Sequence, residues 1–399
     1  MLSFEQALNA ILSNTSSLYT DKTPVENSIG SVLQEDVYSK LEMPPFNKSA
    51  MDGYAVDTGD IKKVPVKLKC IGLIQAGDNF RKKVNCGECV KIMTGAPIPD
   101  GTDSVVMVEN TREAGKYVEI LKNVKKGKNV CFRGEDLKIG QKVLSKGIKI
   151  SSSNISLLAT IGRRFVRVIR TPRVAILNTG GEIVPSGKKL SKYKIYNANG
   201  PQLLALLTSD NIEPYFLGIA GDNTKELKGA IKKGLQNDIL LISGGVSMGD
   251  YDLVPGILKS SGVRKIFHNV KIKPGKPLFF GKRGNSLVFG IPGNPVSNFL
   301  AYLIFIRPSI YRMMGYKCCE PEFKRGIIER DFPQKTGRKH FVLVKVTEKN
   351  SNYYLRPIDS HGSADILALS RADGFMVVEE NRSIVKKHTK IKFITWKRI

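Results

Sequence analysis

The chain has 399 residues, 41% of them apolar and 25% charged, which calls for roughly two to four globular domains and excludes a disordered chain. Its 63 Lys and Arg against 36 Asp and Glu leave a net charge of +27, a bias that points to an anionic partner. The first 60 residues nonetheless carry three basic and nine acidic side chains, and lysine runs such as 122–128 lack interleaved aromatics, so most of the excess reads as solvated surface and no nucleic-acid partner is expected.

At the start of the chain, Leu2, Phe4, Ala7, Leu8, Ile11 and Leu12 recur at helical spacing with Glu5 and Gln6 between them. That pattern describes an amphipathic helix and not a signal peptide, so a cytoplasmic protein is expected. The helical, acidic texture is expected to continue to Glu42 and to stop at Pro44-Pro45, where two fixed φ angles and two missing donors end any regular element. Short β-like runs follow at 64–73, 89–93, 104–109 and 117–121, punctuated by Gly and Pro, which predicts a small β domain. Within it Cys86-Gly-Glu-Cys89 has metal-like spacing. No second pair completes a zinc site, because Cys318 and Cys319 are adjacent and His268, His340, His361 and His388 are scattered, so the cysteines read as reduced structural thiols. Residues 137–170 form a mixed segment with a helix over 153–160, and 137–150 is expected to pack back against the N-terminal helix.

From Thr171 to about Tyr316 strands and helices alternate. Strands are expected at 173–178, 213–219, 238–243, 278–280 and 286–289, with helices at 199–209, 224–235 and 294–310. Continuous apolar strands between amphipathic helices predict a mainly parallel sheet covered on both faces. The longest apolar run, 299–306, ends at Arg307 and falls far short of the roughly 20 residues that span a bilayer. After residue 317 the β patterning returns at 340–346, 351–357, 374–378 and 389–396. The expected fold is therefore multidomain α/β plus β: a central three-layer α/β/α domain over 171–316, an inserted small β domain over 46–136, a mixed N-terminal domain over 1–45 and 137–170, and a C-terminal β domain over 317–399.

In open α/β sheets ligands bind beyond the carboxyl ends of the strands, where loops present free backbone N–H groups. Three Gly-rich loops fall at such ends. Asn178-Thr-Gly-Gly-Glu182 sets a carboxylate beside two glycines. Ser243-Gly244-Gly245-Val-Ser247-Met-Gly-Asp250-Tyr-Asp252 offers amides and hydroxyls for a phosphate, and carboxylates suited to Mg²⁺, which prefers oxygen ligands shared with substrate phosphates. Gly290-Ile-Pro292-Gly-Asn-Pro295 is a stiff loop opening a helix. Between the last two lies Lys271-Ile-Lys273-Pro-Gly-Lys276-Pro277, three cations on a turn. Each alone is more often just a turn or a wet surface; together on one sheet edge they favour a phosphorylated anion with a divalent metal. In the β domain, Asp52 follows a rigid Pro44-Pro-Phe loop, where it serves as well for an Asx turn as for a site, and Met93-Thr94-Gly-Ala-Pro-Ile-Pro is a second stiffened loop.

Taken in order, Pro45-Phe-Asn-Lys-Ser-Ala-Met-Asp52-Gly-Tyr-Ala, Met93-Thr-Gly-Ala-Pro-Ile-Pro, Arg133-Gly-Glu-Asp136, Thr179-Gly-Gly-Glu, Ser243-Gly-Gly-Val-Ser-Met-Gly, Lys273-Pro-Gly-Lys-Pro and Ile291-Pro-Gly-Asn-Pro-Val-Ser resemble the molybdopterin molybdenumtransferase family, MoeA in bacteria, which includes the E domain of gephyrin. The seven blocks are collinear from Pro45 to Ser297.

The resemblance implies a cytoplasmic homodimer of four domains per subunit that inserts molybdate into adenylylated molybdopterin and releases AMP with Mg²⁺. Other molybdenum cofactor biosynthesis enzymes are implied as contacts, and neither nucleic acid nor membrane is. By matching position it implies catalytic roles for Asp52, Thr94, Asp136, Glu182, Asp222 and Asp252, with Glu182 and Asp252 on the metal. Substrate contacts fall on Ser243, Gly244, Gly245, Ser247, Lys273, Lys276, Pro277, Pro292, Pro295, Arg338 and Ser363. The family usually has Thr-Gly-Asp-Glu where this chain has Gly181. Molybdopterin adenylylation and a non-catalytic gephyrin-like scaffold are the alternative functions.

Overall fold

The computed structural model describes residues 1–78, 80–246 and 253–397. The chain divides into two compact units, one of residues 1–34, 149–151 and 165–399, the other of residues 35–148 and 152–164. The fourfold division expected from sequence is finer than this.

In the first unit a six-stranded mixed sheet runs Pro214–Ala220, Val174–Thr179, Ile239–Ser243, Ser286–Ile291, Phe279–Arg283, Arg264–His268. The first four strands are parallel, and the remaining pairings are antiparallel. Alternation along each strand feeds two cores. Val174, Ile176, Ile239 and Leu241 face one side, with Leu203 and Leu207 of the helix Asn199–Ser209. Ala175, Leu177, Leu240 and Ile242 face the other, with Leu227 and Ile231 of Thr224–Gly234 and Val254 and Leu258 of Leu253–Ser260. A sheet buried on both faces needs strands without polar positions, which is why 239–242 is an unbroken apolar run. The expected helix from 294 is Pro295–Ala301, a π-helical turn Tyr302–Ile306, then Arg307–Met313.

The N-terminal helix is Phe4–Ser13, begun by a capping box in which Ser3 and Gln6 satisfy each other's backbone N–H groups. Phe4, Ala7, Leu8 and Ile11 lie in the same core as the α/β sheet. The helical texture expected as far as Glu42 stops at Ser13 instead. Apolar spacing fails after Leu12, and Thr20–Pro24 forms a strand antiparallel to Phe165–Ile169. Lys142–Leu144 pairs with Val37–Tyr38, and Ile150 exchanges hydrogen bonds with Gly30 and Ser31 at 2.8 and 2.9 Å.

The C-terminal strands close on themselves. Lys339–Lys349, Asn352–Pro357, Lys324–Ile328, Lys390–Thr395 and Gly374–Val378 pair in that order, and Gly374–Val378 returns to Lys339–Lys349, making a five-stranded barrel of the described residues. Val342, Val344, Leu355, Met376 and Phe393 form its own core. The alternate residues Phe341, Leu343, Phe375 and Ile394 join the α/β core, so three of the five barrel strands, Lys339–Lys349, Gly374–Val378 and Lys390–Thr395, bury apolar residues on both sides. Ile272–Lys273 adds to Lys339–Lys349 in parallel.

The second unit holds a six-stranded sheet ordered Ser104–Met107, Gly53–Val56, Glu88–Ile92, Val66–Ile74, Tyr117–Ile120, Thr111–Ala114. Its two faces also bury separate clusters, Tyr54, Val56, Leu68 and Val106 on one and Ala55, Val90, Ile92 and Val105 on the other. The expected helix is present as Ser152–Thr160. No helix among the described residues is long and apolar enough to cross a membrane.

Candidate active site

The parallel register aligns the carboxyl ends of four strands. Thr179 lies opposite Ala220, Asn178 opposite Ser243, and Ser243 opposite Ile291. The loops at Asp222, Gly180-Gly181-Glu182, Gly244-Gly245 and Pro292-Gly293 therefore emerge side by side, at the edge where such sheets bind ligands.

Glycine is demanded at two of these places. A Cβ on Gly244 would meet the Thr179 carbonyl oxygen at 2.4 Å, and its φ of +94° lies in the left-handed region. At Gly180, φ +140°, a Cβ would lie 2.5 Å from Oε2 of Glu182. The Glu182 carboxylate is thus folded over the glycine. Asp222 lies against the next residue, its Oδ2 accepting the Gly181 N–H at 3.1 Å, while Lys194 Nζ donates to the Gly181 carbonyl. Two carboxylates accordingly flank consecutive glycines. An apolar cavity of about 470 Å³ opens beside them, with Gly180, Gly181, Ile183, Leu204, Phe216 and Ile219 in its wall.

Beneath the loops a buried serine is held from two sides. Ser243 is 1% exposed, and its Oγ accepts from Asn199 Nδ2 at 2.9 Å and Asn298 Nδ2 at 2.8 Å. Asn199 also donates to the Gly293 carbonyl at 2.7 Å, clamping the second loop to the third. These two asparagines were not singled out from sequence; they are helix residues without a motif of their own. Pro292 is buried and Pro295 opens the following helix.

Ser363 comes to the same edge from the C-terminal part of the chain. Its hydroxyl oxygen accepts from Asn294 Nδ2 at 2.7 Å, and its carbonyl accepts the Val296 N–H at 3.1 Å. Ser363 and Lys273 line one cavity of about 370 Å³ together with His340, Gln334 and Ser360. Arg338 stands close enough, with Lys273, to depress the His340 imidazole. Burial is the larger cause, and the three effects push the ring down to about 4. Lys276 and Pro277 follow Lys273 on the same turn, with the Lys276 side chain exposed and neither residue in that cavity wall. His340 was read from sequence as a scattered histidine; only its place two residues after Arg338 hinted otherwise.

In the second unit Asp52 and Thr94 are brought together. Asp52 Oδ1 accepts the Thr94 N–H at 2.7 Å and the Thr94 hydroxyl at 2.8 Å. The backbone N–H first, and the hydroxyl second, hold this carboxyl below its ordinary value. Asp136 is exposed, its N–H donating to the Met43 carbonyl at 2.9 Å. Ser247 and Asp252, expected on substrate and metal, lie outside the described residues, as does Asp250.

Three family profiles match the chain in series. The MoeA N-terminal region (domain I and II) covers residues 2–162, a probable molybdopterin binding domain 175–312, and the MoeA C-terminal region (domain IV) 325–396. A molybdopterin molybdenumtransferase of Staphylococcus epidermidis is 30% identical over 382 residues, 94% of this chain and 91% of the relative. One from Staphylococcus aureus is 31% identical over 374 residues, 92% and 89% of the two chains. The crystal structure of a molybdopterin biosynthesis MoeA protein from Pyrococcus horikoshii superposes with a TM-score of 0.80 at 29% identity, covering 100% of both chains. Loops, cations and relatives agree in the order of the parts and over the full length: the chain belongs to the molybdopterin molybdenumtransferase family of molybdenum cofactor biosynthesis.

Proposed function

We propose that this chain transfers molybdenum to molybdopterin, inserting molybdate into the adenylylated form and releasing AMP. The observation that carries this is one sheet edge where paired carboxylates, at Glu182 and Asp222, share a row of adjacent strand ends with the Asn294 loop. That loop hydrogen-bonds Ser363, which lines the Lys273 cavity. One edge thus offers oxygen ligands for a metal on a phosphoanhydride and cationic and hydroxyl donors for an oxyanion.

The donor set fits Mg²⁺. That ion is commonly held by one or two carboxylates plus substrate phosphates, without an all-protein cage. Glu182 and Asp222 supply two carboxylates at Gly180 and Gly181, and no cluster of three or more His, Cys, Asp or Glu occurs among the described residues. Glu182, with Asp222 and Asp252, would hold it, and bound there it would neutralise charge on the transferred phosphoryl group.

The chain's own residues do the rest. Gly244 and Gly245 let the backbone approach the phosphate. Ser243, fixed by Asn199 and Asn298, holds that loop in place. The apolar cavity at Phe216 and Ile219 suits a flat ring. Lys273, Arg338 and Ser363 orient the oxyanion, with Lys276 and Pro277 shaping the turn. Asp52, Thr94 and Asp136 are the catalytic candidates of the other unit. The working form is a cytoplasmic homodimer of four domains per subunit, a three-layer α/β/α domain over 171–316 among them.

The test incubates the protein with adenylylated molybdopterin, molybdate and Mg²⁺ and follows AMP. Molybdate-dependent AMP release with formation of active cofactor is expected; AMP release that ignores molybdate would end the proposal. Consumption of ATP with unmodified molybdopterin would point to adenylylation instead.

A further inference from the structure

The Lys273 cavity contains a group that the transferase reading, on which this inference rests, does not use. Ile272–Lys273 and Lys339–Lys349 pair in parallel with Lys273 opposite His340, and both line the cavity. The imidazole is fixed on one side. Gln334 Nε2 donates to the carbonyls of Glu379 and Arg382 at 3.0 and 2.8 Å, so its Oε1 is turned to His340 Nδ1 at 3.0 Å. Nδ1 therefore carries the hydrogen, and in the neutral ring Nε2 is a bare acceptor.

A bare acceptor in a cationic cavity is a poor contact for an anion unless it gains a proton. We propose that His340 is a specificity-determining residue of this cavity, its Nε2 taking up a proton from solvent as a doubly charged tetrahedral oxyanion enters, so that an imidazolium and Lys273 hold the dianion together.

The surrounding charges favour this exchange. Lys273 and Arg338 face the ring as cations. The acid in the wall, Asp359, is held by Arg330 at 2.5 Å. On the same strand Lys339 is engaged with Glu5 and Glu379. With the cavity empty, burial and the two cations keep the ring neutral, its value pushed to about 4. Two negative charges brought into contact reverse the balance and stabilise the protonated form. One proton then enters with each dianion, so affinity falls as pH rises, by up to about tenfold per pH unit. A monoanion of the same shape gains less, which makes the cavity selective for charge.

Tungstate and perrhenate, tetrahedral with two charges and one, serve as probes. Calorimetric titration of the whole protein with tungstate, in two buffers of different ionisation enthalpy and from mildly acidic to mildly alkaline pH, reads affinity and proton uptake together. Wild type is expected to take up a proton, to weaken with rising pH, and to prefer tungstate to perrhenate. His340→Gln is expected to bind tungstate at alkaline pH as wild type does, while losing the proton uptake and the pH slope. The same slope and uptake in His340→Gln would overturn the proposal. Lys273→Met distinguishes the deeper failure: if it binds tungstate as well as wild type, the cavity is not the oxyanion site at all.

Discussion

Replacing Gly244 by Ala adds one methyl group at the centre of the proposed site. The new Cβ would lie 2.4 Å from the Thr179 carbonyl oxygen and 3.1 Å from its hydroxyl, at a φ of +94°. Holding an L-residue in such a conformation costs about 1–3 kcal/mol, and the backbone oxygen, part of the neighbouring strand, cannot rotate out of the way as a side chain end would. The loop must therefore move, and a displacement of about 1 Å at a reacting centre can cost on the order of a hundredfold in rate.

The control is Gly229→Ala in the helix Thr224–Gly234, where an added Cβ meets nothing within 4 Å and is expected to stabilise the helix by about 0.5–1 kcal/mol. AMP release and thermal unfolding are measured on both. Gly244→Ala is expected to lose roughly a hundredfold in turnover and a few degrees in melting temperature, whereas Gly229→Ala keeps turnover and melts slightly higher. Wild-type turnover in Gly244→Ala would refute the inference that this loop approaches the reacting groups.

Two further outcomes are expected. Asp210, its side chain 9% exposed, accepts from Tyr302 at 2.6 Å, Arg307 at 2.7 Å and Tyr311 at 3.3 Å. Asp210→Ala strands a largely buried guanidinium and should cost up to about 3–5 kcal/mol in denaturant unfolding; a loss near zero would mean the cluster is solvated. Thr94→Val removes one of the two bonds that stabilise the Asp52 carboxylate. Because that carboxyl is depressed, its charged form persists to lower pH in wild type. In the variant a carbon-detected NMR titration should place it higher, yet still below the ordinary value of about 3.9 because the backbone N–H remains. An unmoved titration would show that the hydroxyl contributes nothing.

Much of this protein is written locally. The spacing of Phe4, Ala7, Leu8 and Ile11 fixes a helix with one apolar face. The unbroken run at 239–242 fixes a strand covered on both sides, and the Gly and Pro clusters that follow such strands mark the loops of the proposed site. The seven motif blocks are equally local, which is why the family could be recognised before any contact was known. They also placed Glu182 and Lys273 among the candidates.

Pairing between distant segments is where the sequence falls silent. Thr20–Pro24 looks like the tail of a helical region, and becomes a strand because Phe165–Ile169 offers it an edge. The barrel closes through Lys339–Lys349 and Gly374–Val378, a choice of partner that alternation alone does not specify, since a strand apolar on both sides suits several neighbours. Asn199 and Asn298 meet at Ser243 only after two helices pack on the sheet. His340 was one scattered histidine among four until register set it opposite Lys273. Periodicity is a property of neighbours in the chain, and it determined the elements. Register and closure are energies of contact between remote residues, and only the tertiary structure decided them, along with which carboxylates and cations share an edge.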